Sequence, residues 1–395
     1  MVETEKIMNK KDPRDKHLIR RFSALFCIVA MILCLVPTTI NAQDVGSGET
    51  GARAATVSGN VFLGGNFMEI GISPCGSFGT TVDAPTTGNL IFHPSTLWGE
   101  TNDRIGMVAN SSVTGETSGW NKDTTDYFLP GTVDESFSIG WDKTLKAVGS
   151  DYGSDMNTSN LSDTATVNES TAELLKAVST GTITGTGVTY SQTVSFAPND
   201  KNFTTTITLT NDSATTISGA RYMRAFDPDQ QASRALLDAS DTYDLVGIPG
   251  LENVGTSVIA YGDDAGTKTP FFFFTEDKRA TAGYTDEEFR FTDLYNVGNY
   301  MVTTKGSTLY TDGDIFIYFE LGDIPAGGSV TFSYISSLDV NAANAIANIK
   351  NKYAPTSTVP STGDDSMTMI WIYLGLLASA GLATSLVIST KRRNA

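Results

Sequence analysis

The sequence predicts a mainly β protein: an antiparallel β-sandwich with a few short helices. The run Phe203 to Thr210 alternates strictly, so that its apolar side chains share one face and its threonines the other. Many further short apolar runs are separated by turns rich in Gly, Asn, Asp and Pro, which is typical of antiparallel sheets. With 395 residues, the chain is long enough to bury a core that needs no disulfide.

Nine runs carry the strand pattern. They are Val61 to Ile72, Phe137 to Trp141, Thr182 to Phe196, Phe203 to Thr210, Ala214 to Phe226, Ser257 to Tyr261, Phe271 to Phe274, Ile315 to Leu321 and Val330 to Ile335. Asn211-Asp212-Ser213 is a turn signal between two of them, and Gly322 to Gly328 predicts a hairpin between the last two. Ile315 to Leu321 is apolar on both faces, which predicts burial on two sides.

Three short helices are expected. Ser170 to Glu173 has the capping-box pattern and leads into Leu174 to Val178. Asp227 to Gln230 has a similar pattern and leads into Ala232 to Asp238. The third helix is expected at Ala342 to Lys350.

The N-terminus has the features of a signal peptide. Seven basic residues precede the uncharged apolar run Phe22 to Val36, Pro37 follows, and Ile40-Asn41-Ala42 fits a cleavage site. The apolar run is shorter than the roughly 20 residues that a spanning helix needs. We therefore expect residues 1–42 to be removed, and residues 43–57, which are small and polar, to form a flexible leader.

No internal repeat is visible, so we expect one domain over residues 58–352. A division near Thr180 into two smaller sandwiches is the alternative.

Composition limits the partners and cofactors. The formal net charge is −17, which repels nucleic acid and anionic lipids and attracts divalent cations. Carboxylate pairs at Asp263 and Asp264, and at Asp312 and Asp314, are candidate calcium ligands, although neither matches an EF-hand loop. His93 is the one histidine outside the signal segment, which argues against a His-rich zinc site.

The C-terminal region carries three successive features. Residues 353–365 form an extended linker that contains Val359, Pro360, Ser361, Thr362 and Gly363. Residues 366–390 are uncharged and long enough to cross a bilayer as a helix. Lys391, Arg392 and Arg393 then begin the basic tail 391–395, which the positive-inside rule keeps in the cytoplasm.

This order resembles the LPxTG sorting signal of Gram-positive cell-wall surface proteins, with Val359 in place of the more common Leu. The resemblance implies that a sortase cuts between Thr362 and Gly363 and joins Thr362 covalently to peptidoglycan. It implies an exported protein of the cell wall, held in the membrane only transiently by residues 366–390 and the basic tail.

The exposed domain offers weaker functional signals. Trp98, Trp120 and Trp141 lie among polar, turn-rich residues, where aromatic rings can stack on sugars, although such rings also pack in cores. These tryptophans favour an adhesin that binds a glycan or a host-matrix ligand. A structural wall protein and a cell-surface glycosidase are the alternatives. His93 has no recognisable nucleophile motif beside it, which disfavours an enzyme of the Ser-His type.

Overall fold

A computed structural model describes residues 44–94, 103–110, 120, 125–128, 135–150, 158–227, 244–246, 258–264, 271–285, 294–297, 301–303, 309–310 and 314–338. Several expected features lie outside the described residues: the signal peptide expected at residues 1–42, the helices expected at Ala232 to Asp238 and Ala342 to Lys350, and the sorting signal expected at residues 359–395. Within the described part of the chain, no helix combines the length and the apolar character that crossing a bilayer requires.

The described residues are mainly β, as predicted, and none of them forms an α-helix. In chain order the strands are β1 (Arg53–Val57), β2 (Asn60–Gly64), β3 (Met68–Ile72), β4 (Met107–Ala109), β5 (Thr125–Asp126), β6 (Ser136–Trp141), β7 (Thr144–Gly149), β8 (Leu161–Asn168), β9 (Leu175–Ile183), β10 (Val188–Phe196), β11 (Asn202–Asn211), β12 (Ile217–Phe226), β13 (Asp244–Val246), β14 (Val258–Asp264), β15 (Phe271–Thr275), β16 (Ala280–Thr285), β17 (Met301–Val302), β18 (Leu309–Tyr310), β19 (Ile315–Ile324) and β20 (Ser329–Ser337).

These strands form three antiparallel sheets. A five-stranded sheet has the order β1-β2-β3-β4-β5, and a six-stranded sheet has the order β17-β16-β19-β12-β6-β7. The largest sheet has nine strands in the order β18-β13-β14-β15-β20-β11-β10-β9-β8.

One hydrophobic core joins the sheets. Across the space between the six-stranded and nine-stranded sheets, the rings of Tyr222 and Phe332 lie 5.1 Å apart and those of Phe319 and Phe332 lie 4.6 Å apart. Val61 and Ile70 of the five-stranded sheet belong to the same cluster. The apolar faces that the alternating sequence pattern predicted are therefore buried against each other.

Strand β19 is buried on both sides, which confirms the prediction from its two apolar faces. Ile317 and Phe319 lie in the main core. Phe316 points the other way and packs with Met223 and Leu294 in a second cluster.

The predicted hairpin between Ile315 to Leu321 and Val330 to Ile335 is wrong. Strand β19 lies in the six-stranded sheet and β20 in the nine-stranded sheet, and the turn after β11 likewise leads into the other sheet, at β12. The Asn211 side chain joins the two crossings, because its amide donates to the carbonyl oxygens of Thr215 at 2.8 Å and Ile324 at 2.9 Å. Both turns therefore connect sheets rather than neighbouring strands.

The helix expected at Leu174 to Val178 is also wrong, because strand β9 occupies this stretch. The capping residues close a turn between β8 and β9 instead: Thr171 Oγ1 accepts a hydrogen bond from the Leu174 amide at 3.2 Å. Leu175, Ala177 and Ser179 are buried at every second position, and this period of two is that of a strand. Thr180, the position considered for a domain division, lies within β9.

The leader expected at residues 43–57 is not flexible over its whole length. Its last five residues form strand β1 (Arg53–Val57), which pairs with β2 and buries Arg53, Ala54 and Ala55.

Candidate functional site

Of the three tryptophans that were predicted as ligand contacts, the structure describes two, and these two lie in different clusters. Trp141 is 5% exposed and packs in the main core, so its ring face is not open to a ligand. Trp120 is half-buried and packs against a small apolar cluster of the five-stranded sheet. Trp98 lies outside the described residues.

The acidic pairs remain calcium candidates without structural support. For Asp263 and Asp264, at the end of β14, only the backbone is described. Asp314 is buried just before β19, and Asp312 lies outside the described residues. Among the residues that the structure describes, no three His, Cys, Asp or Glu side chains come together as metal ligands.

A polar cluster at the five-stranded sheet includes one of the predicted tryptophans. We call Arg53, Glu69, His93 and Trp120 the His93 cluster. The register of the sheet creates it, because Arg53 of β1 and Glu69 of β3 both pair with Gly64 of β2 and therefore share a face. Gly64 has no side chain to separate them: a Cβ there would lie 3.0 Å from Arg53 Nη2.

Arg53 and Glu69 form a fully buried ion pair, with Nη2 2.5 Å from Oε1. The same Arg53 nitrogen donates to the Gly65 carbonyl at 3.1 Å, and a second guanidinium nitrogen donates to the Gly51 carbonyl at 3.3 Å. A buried charge pair of this kind depends on such additional hydrogen bonds, because both ions have lost their water. The pair therefore fixes the Glu69 carboxylate in one position.

Glu69 in turn fixes His93. Its Oε1 lies 2.8 Å from His93 Nδ1, and its Oε2 accepts the His93 backbone amide at 2.6 Å. An ionised carboxylate only accepts hydrogen bonds, so this contact assigns a ring proton to Nδ1. His93 Nε2 lies 4.0 Å from the Glu49 carboxylate, which is 67% exposed.

Trp120 completes the cluster. Its ring is stacked on the imidazole of His93, with 4.6 Å between centroids and an interplanar angle of 3°, and the Arg53 guanidinium lies 5.9 Å from its centre. The cluster thus places a half-buried indole against a fixed imidazole, beside an exposed carboxylate. Such a combination can contact the apolar face and the hydroxyls of a polar ligand.

Sequence reasoning missed Arg53 and Glu69. A usable signal was present, because Glu69 interrupts the otherwise apolar run Met68 to Ile72. A charge within a buried strand requires a partner, so Glu69 predicts a buried cation nearby.

A second buried polar group lies between the sheets and is enclosed. The guanidinium of Arg224 pairs through Nε with Oε1 of Glu135, and both side chains are 1% exposed. Glu135 Oε2 also accepts the Phe78 amide at 2.7 Å, and Arg224 Nη1 donates to Gln192 Oε1 at 3.4 Å. Tyr222 donates to the same Gln192 oxygen at 2.9 Å.

Burial controls the electrostatics of this group. It raises the pKa of Glu135 to about 7, although Arg224 and the Phe78 amide act in the opposite direction. It also raises the pKa of Tyr222 well above its ordinary value. Burial alone would lower the pKa of Arg224, but the charge of Glu135 raises it above its usual range. Because Arg224 and Glu135 are each 1% exposed, a change in the charge of either one acts on the stability of the fold.

No family model matches the chain, and no curated protein matches it. Several solved structures resemble it weakly. A protein described as an aldose 1-epimerase from Klebsiella pneumoniae is 11% identical, with a TM-score of 0.37 over 80% of this chain and 88% of that chain. A galactose mutarotase related enzyme from Lactobacillus acidophilus is also 11% identical, with a TM-score of 0.26 over 70% of this chain and 96% of that one. A Paenibacillus xanthan lyase is 13% identical, with a TM-score of 0.33 over 84% of this chain, which spans 28% of the lyase. Similarity at these scores assigns no function to this chain.

Proposed function

We propose that this chain is an exported surface protein that a sortase joins to peptidoglycan through Thr362, and that its β-sandwich domain binds a glycan or host-matrix ligand. The observation that carries the proposal is the order of pentapeptide, uncharged span and basic tail in the last residues of the chain. The same chain begins with a signal segment, so both ends agree on export.

The pentapeptide suits the chemistry that this assignment requires. The sortase thiolate attacks the carbonyl carbon of Thr362, and the bond to the nitrogen of Gly363 breaks as that nitrogen takes up a proton. An amine of the wall precursor then attacks the thioester, releases the thiol and forms an amide with Thr362. Pro360 restricts the peptide, and Gly363 leaves room beside the scissile bond.

The binding half of the proposal rests on the His93 cluster. Trp120 supplies a half-buried ring, and His93 and Glu49 supply polar groups that sugar hydroxyls can bond. Glu69 and Arg53 hold His93 in place before any ligand arrives, which lowers the entropic cost of binding.

A panel of glycans and matrix proteins, screened with the purified protein, tests the binding half. Trp120→Ala should weaken binding of the ligand found by about 1 to 3 kcal/mol. Glu320→Gln is the control, because Glu320 is an exposed acid on the six-stranded sheet. Unchanged binding by the Trp120 variant would remove the His93 cluster from the ligand site. Failure to bind any ligand would favour a structural wall protein, and cleavage of a glycan would favour a glycosidase.

Cell fractionation tests the anchoring half. Thr362→Ala should leave the protein unprocessed in the membrane fraction, and deletion of Lys391 to Arg393 should release part of it into the medium. Normal wall attachment of the Thr362 variant would contradict the proposed role of this residue.

A further inference from the structure

One face of the nine-stranded sheet carries an ordered array of hydroxyl groups. The array lies on strands β9, β10, β11 and β20, and each member is half-buried or exposed, while the residues between them point into the core. We call it the hydroxyl face. Its members are Thr180, Thr182, Thr189, Ser191, Thr193, Ser195, Thr204, Thr206, Thr208, Thr210, Ser329, Thr331 and Ser333.

Strand register arranges these hydroxyls in rows that run across the sheet. The three rows are Thr182-Thr189-Thr210-Ser329, Thr180-Ser191-Thr208-Thr331 and Thr193-Thr206-Ser333. Neighbours within a row lie about 4.8 Å apart at the backbone, and successive rows lie roughly 7 Å apart. The hydroxyls of Thr208 and Thr331 are close enough to bond each other, at 2.9 Å.

The three rows contain no charged residue, although the chain has a net charge of −17. Charged side chains lie at the borders of the array. Lys176, which is paired with Glu169 at 2.7 Å, faces Ser195. Asp163 lies in the β8 bulge between the residues that pair with Thr182 and Thr180. Arg279, which is paired with Asp277, donates to the Thr331 carbonyl at 3.1 Å. The six-stranded sheet differs, because its outward positions include an ion pair between half-buried Arg221 and exposed Glu320. A preference of threonine for strands explains single residues but not this complete absence of charge from three rows.

The chemical groups of the hydroxyl face indicate which kind of ligand it would bind. Each hydroxyl can donate one hydrogen bond and accept two, and each threonine adds a methyl group. Sugar rings present the same mixture of hydroxyls and C–H groups, and an uncharged glycan avoids both the repulsion of the acidic domain and the desolvation of a charge. Because strands in a sheet twist relative to one another, the array is not planar, which favours a flexible chain over a flat crystal surface.

We infer that the hydroxyl face binds an uncharged, polyhydroxylated polysaccharide chain laid across the strands. This surface differs from the His93 cluster and does not depend on Trp120 or on wall attachment. Each hydrogen bond exchanged with water contributes little, so affinity has to come from many contacts along a polymer. Oligosaccharides too short to span the four strands should therefore bind more weakly than longer chains of the same sugar.

Affinity electrophoresis of the full chain in non-ionic detergent tests the inference. Native gels contain dextran, mannan or soluble starch as neutral polymers, or polygalacturonate as an anionic one. The test variant combines Thr193→Val, Thr206→Val, Thr208→Val and Thr331→Val, which remove hydroxyls while keeping size and strand preference. The control combines Thr144→Val and Thr215→Val, at exposed positions outside the face.

At least one neutral polymer should retard the natural protein, and polygalacturonate should not. The fourfold variant should keep its melting temperature but bind that polymer at least about tenfold more weakly, while the control binds normally. Equal retardation of the fourfold variant, equal retardation by polygalacturonate, or no retardation by any neutral polymer would each overturn the inference.

Two further measurements distinguish polysaccharide binding by the hydroxyl face from binding at the His93 cluster and from self-association. Trp120→Ala should leave the retardation unchanged, and its loss in that variant alone would move the binding to the His93 cluster. Sedimentation velocity without polymer should show no self-association. A dimer that disappears in the fourfold variant, together with no polymer binding, would assign the face to a second copy of the chain and overturn the inference.

Discussion

The carboxylate of Glu69 holds His93 at two points, with Oε1 2.8 Å from the ring nitrogen Nδ1 and Oε2 2.6 Å from the backbone amide. The same carboxylate is the buried partner of Arg53. One acidic side chain thus joins strand β1, strand β3 and the segment that carries His93. Both the stability of the five-stranded sheet and the position of the imidazole depend on it.

Glu69→Gln should lower the free energy of unfolding by about 3 to 5 kcal/mol, because it leaves the guanidinium of Arg53 buried without a counter-charge. Urea denaturation measures this change. Glu169→Gln provides the matched control, since Glu169 pairs with Lys176 near the surface and its loss should cost no more than about 1 kcal/mol. Equal effects of the two substitutions would show that the buried pair is not a main support of the sheet.

The tryptophans should respond differently to truncation. Trp141→Ala removes a ring from the main core and should lower the free energy of unfolding by about 3 to 5 kcal/mol. Trp120→Ala should lower it less, because the Trp120 side chain is only half-buried. Thermal unfolding of the two variants gives the comparison. A larger loss for Trp120→Ala than for Trp141→Ala would contradict the burial described for these rings.

Glu135 should make the protein less stable as the pH rises. Its pKa in the folded protein, about 7, exceeds the ordinary 4.5, so the folded state binds more protons between these values. The stabilising contribution is therefore complete below about pH 4.5 and is lost as the pH rises through 7, with a total on the order of 3 kcal/mol.

A comparison of two variants separates the contribution of Glu135 to the pH dependence of stability from the contributions of the other acidic residues. Glu135→Gln should remove this part of the decline in stability between pH 5 and pH 8, measured by denaturant titration at each pH. Glu320→Gln, at an exposed ion pair, should retain the decline. A Glu135 variant with the natural pH dependence would exclude Glu135 as its source.

Alternation of apolar and polar residues was sufficient to predict several strands, because burial on one face imposes a period of two. Phe203 to Thr210 and Phe137 to Trp141 fall almost where β11 and β6 lie. Which strands pair with each other was harder to predict. The turns at Asn211 and at Gly322 carry ordinary turn residues, and whether a turn joins neighbours or crosses between sheets depends on distant packing.

The helix expected after Ser170 shows a second limit. Its capping residues do form side-chain hydrogen bonds, but such bonds also stabilise β-turns. The alternation of buried and half-buried residues that follows favours a strand.

The His93 cluster shows a third limit of prediction from sequence. Arg53 and Glu69 lie 16 positions apart, and only the register of β1, β2 and β3 brings them together.

Mass spectrometry of protein released by wall-digesting enzymes tests the central proposal most directly. We expect a C-terminal peptide that ends at Thr362, joined by an amide bond to a peptidoglycan amine and lacking the span Met367 to Thr390. Recovery of a chain that ends at Ala395, extractable from cells by detergent alone, would identify an ordinary membrane anchor and contradict the proposal.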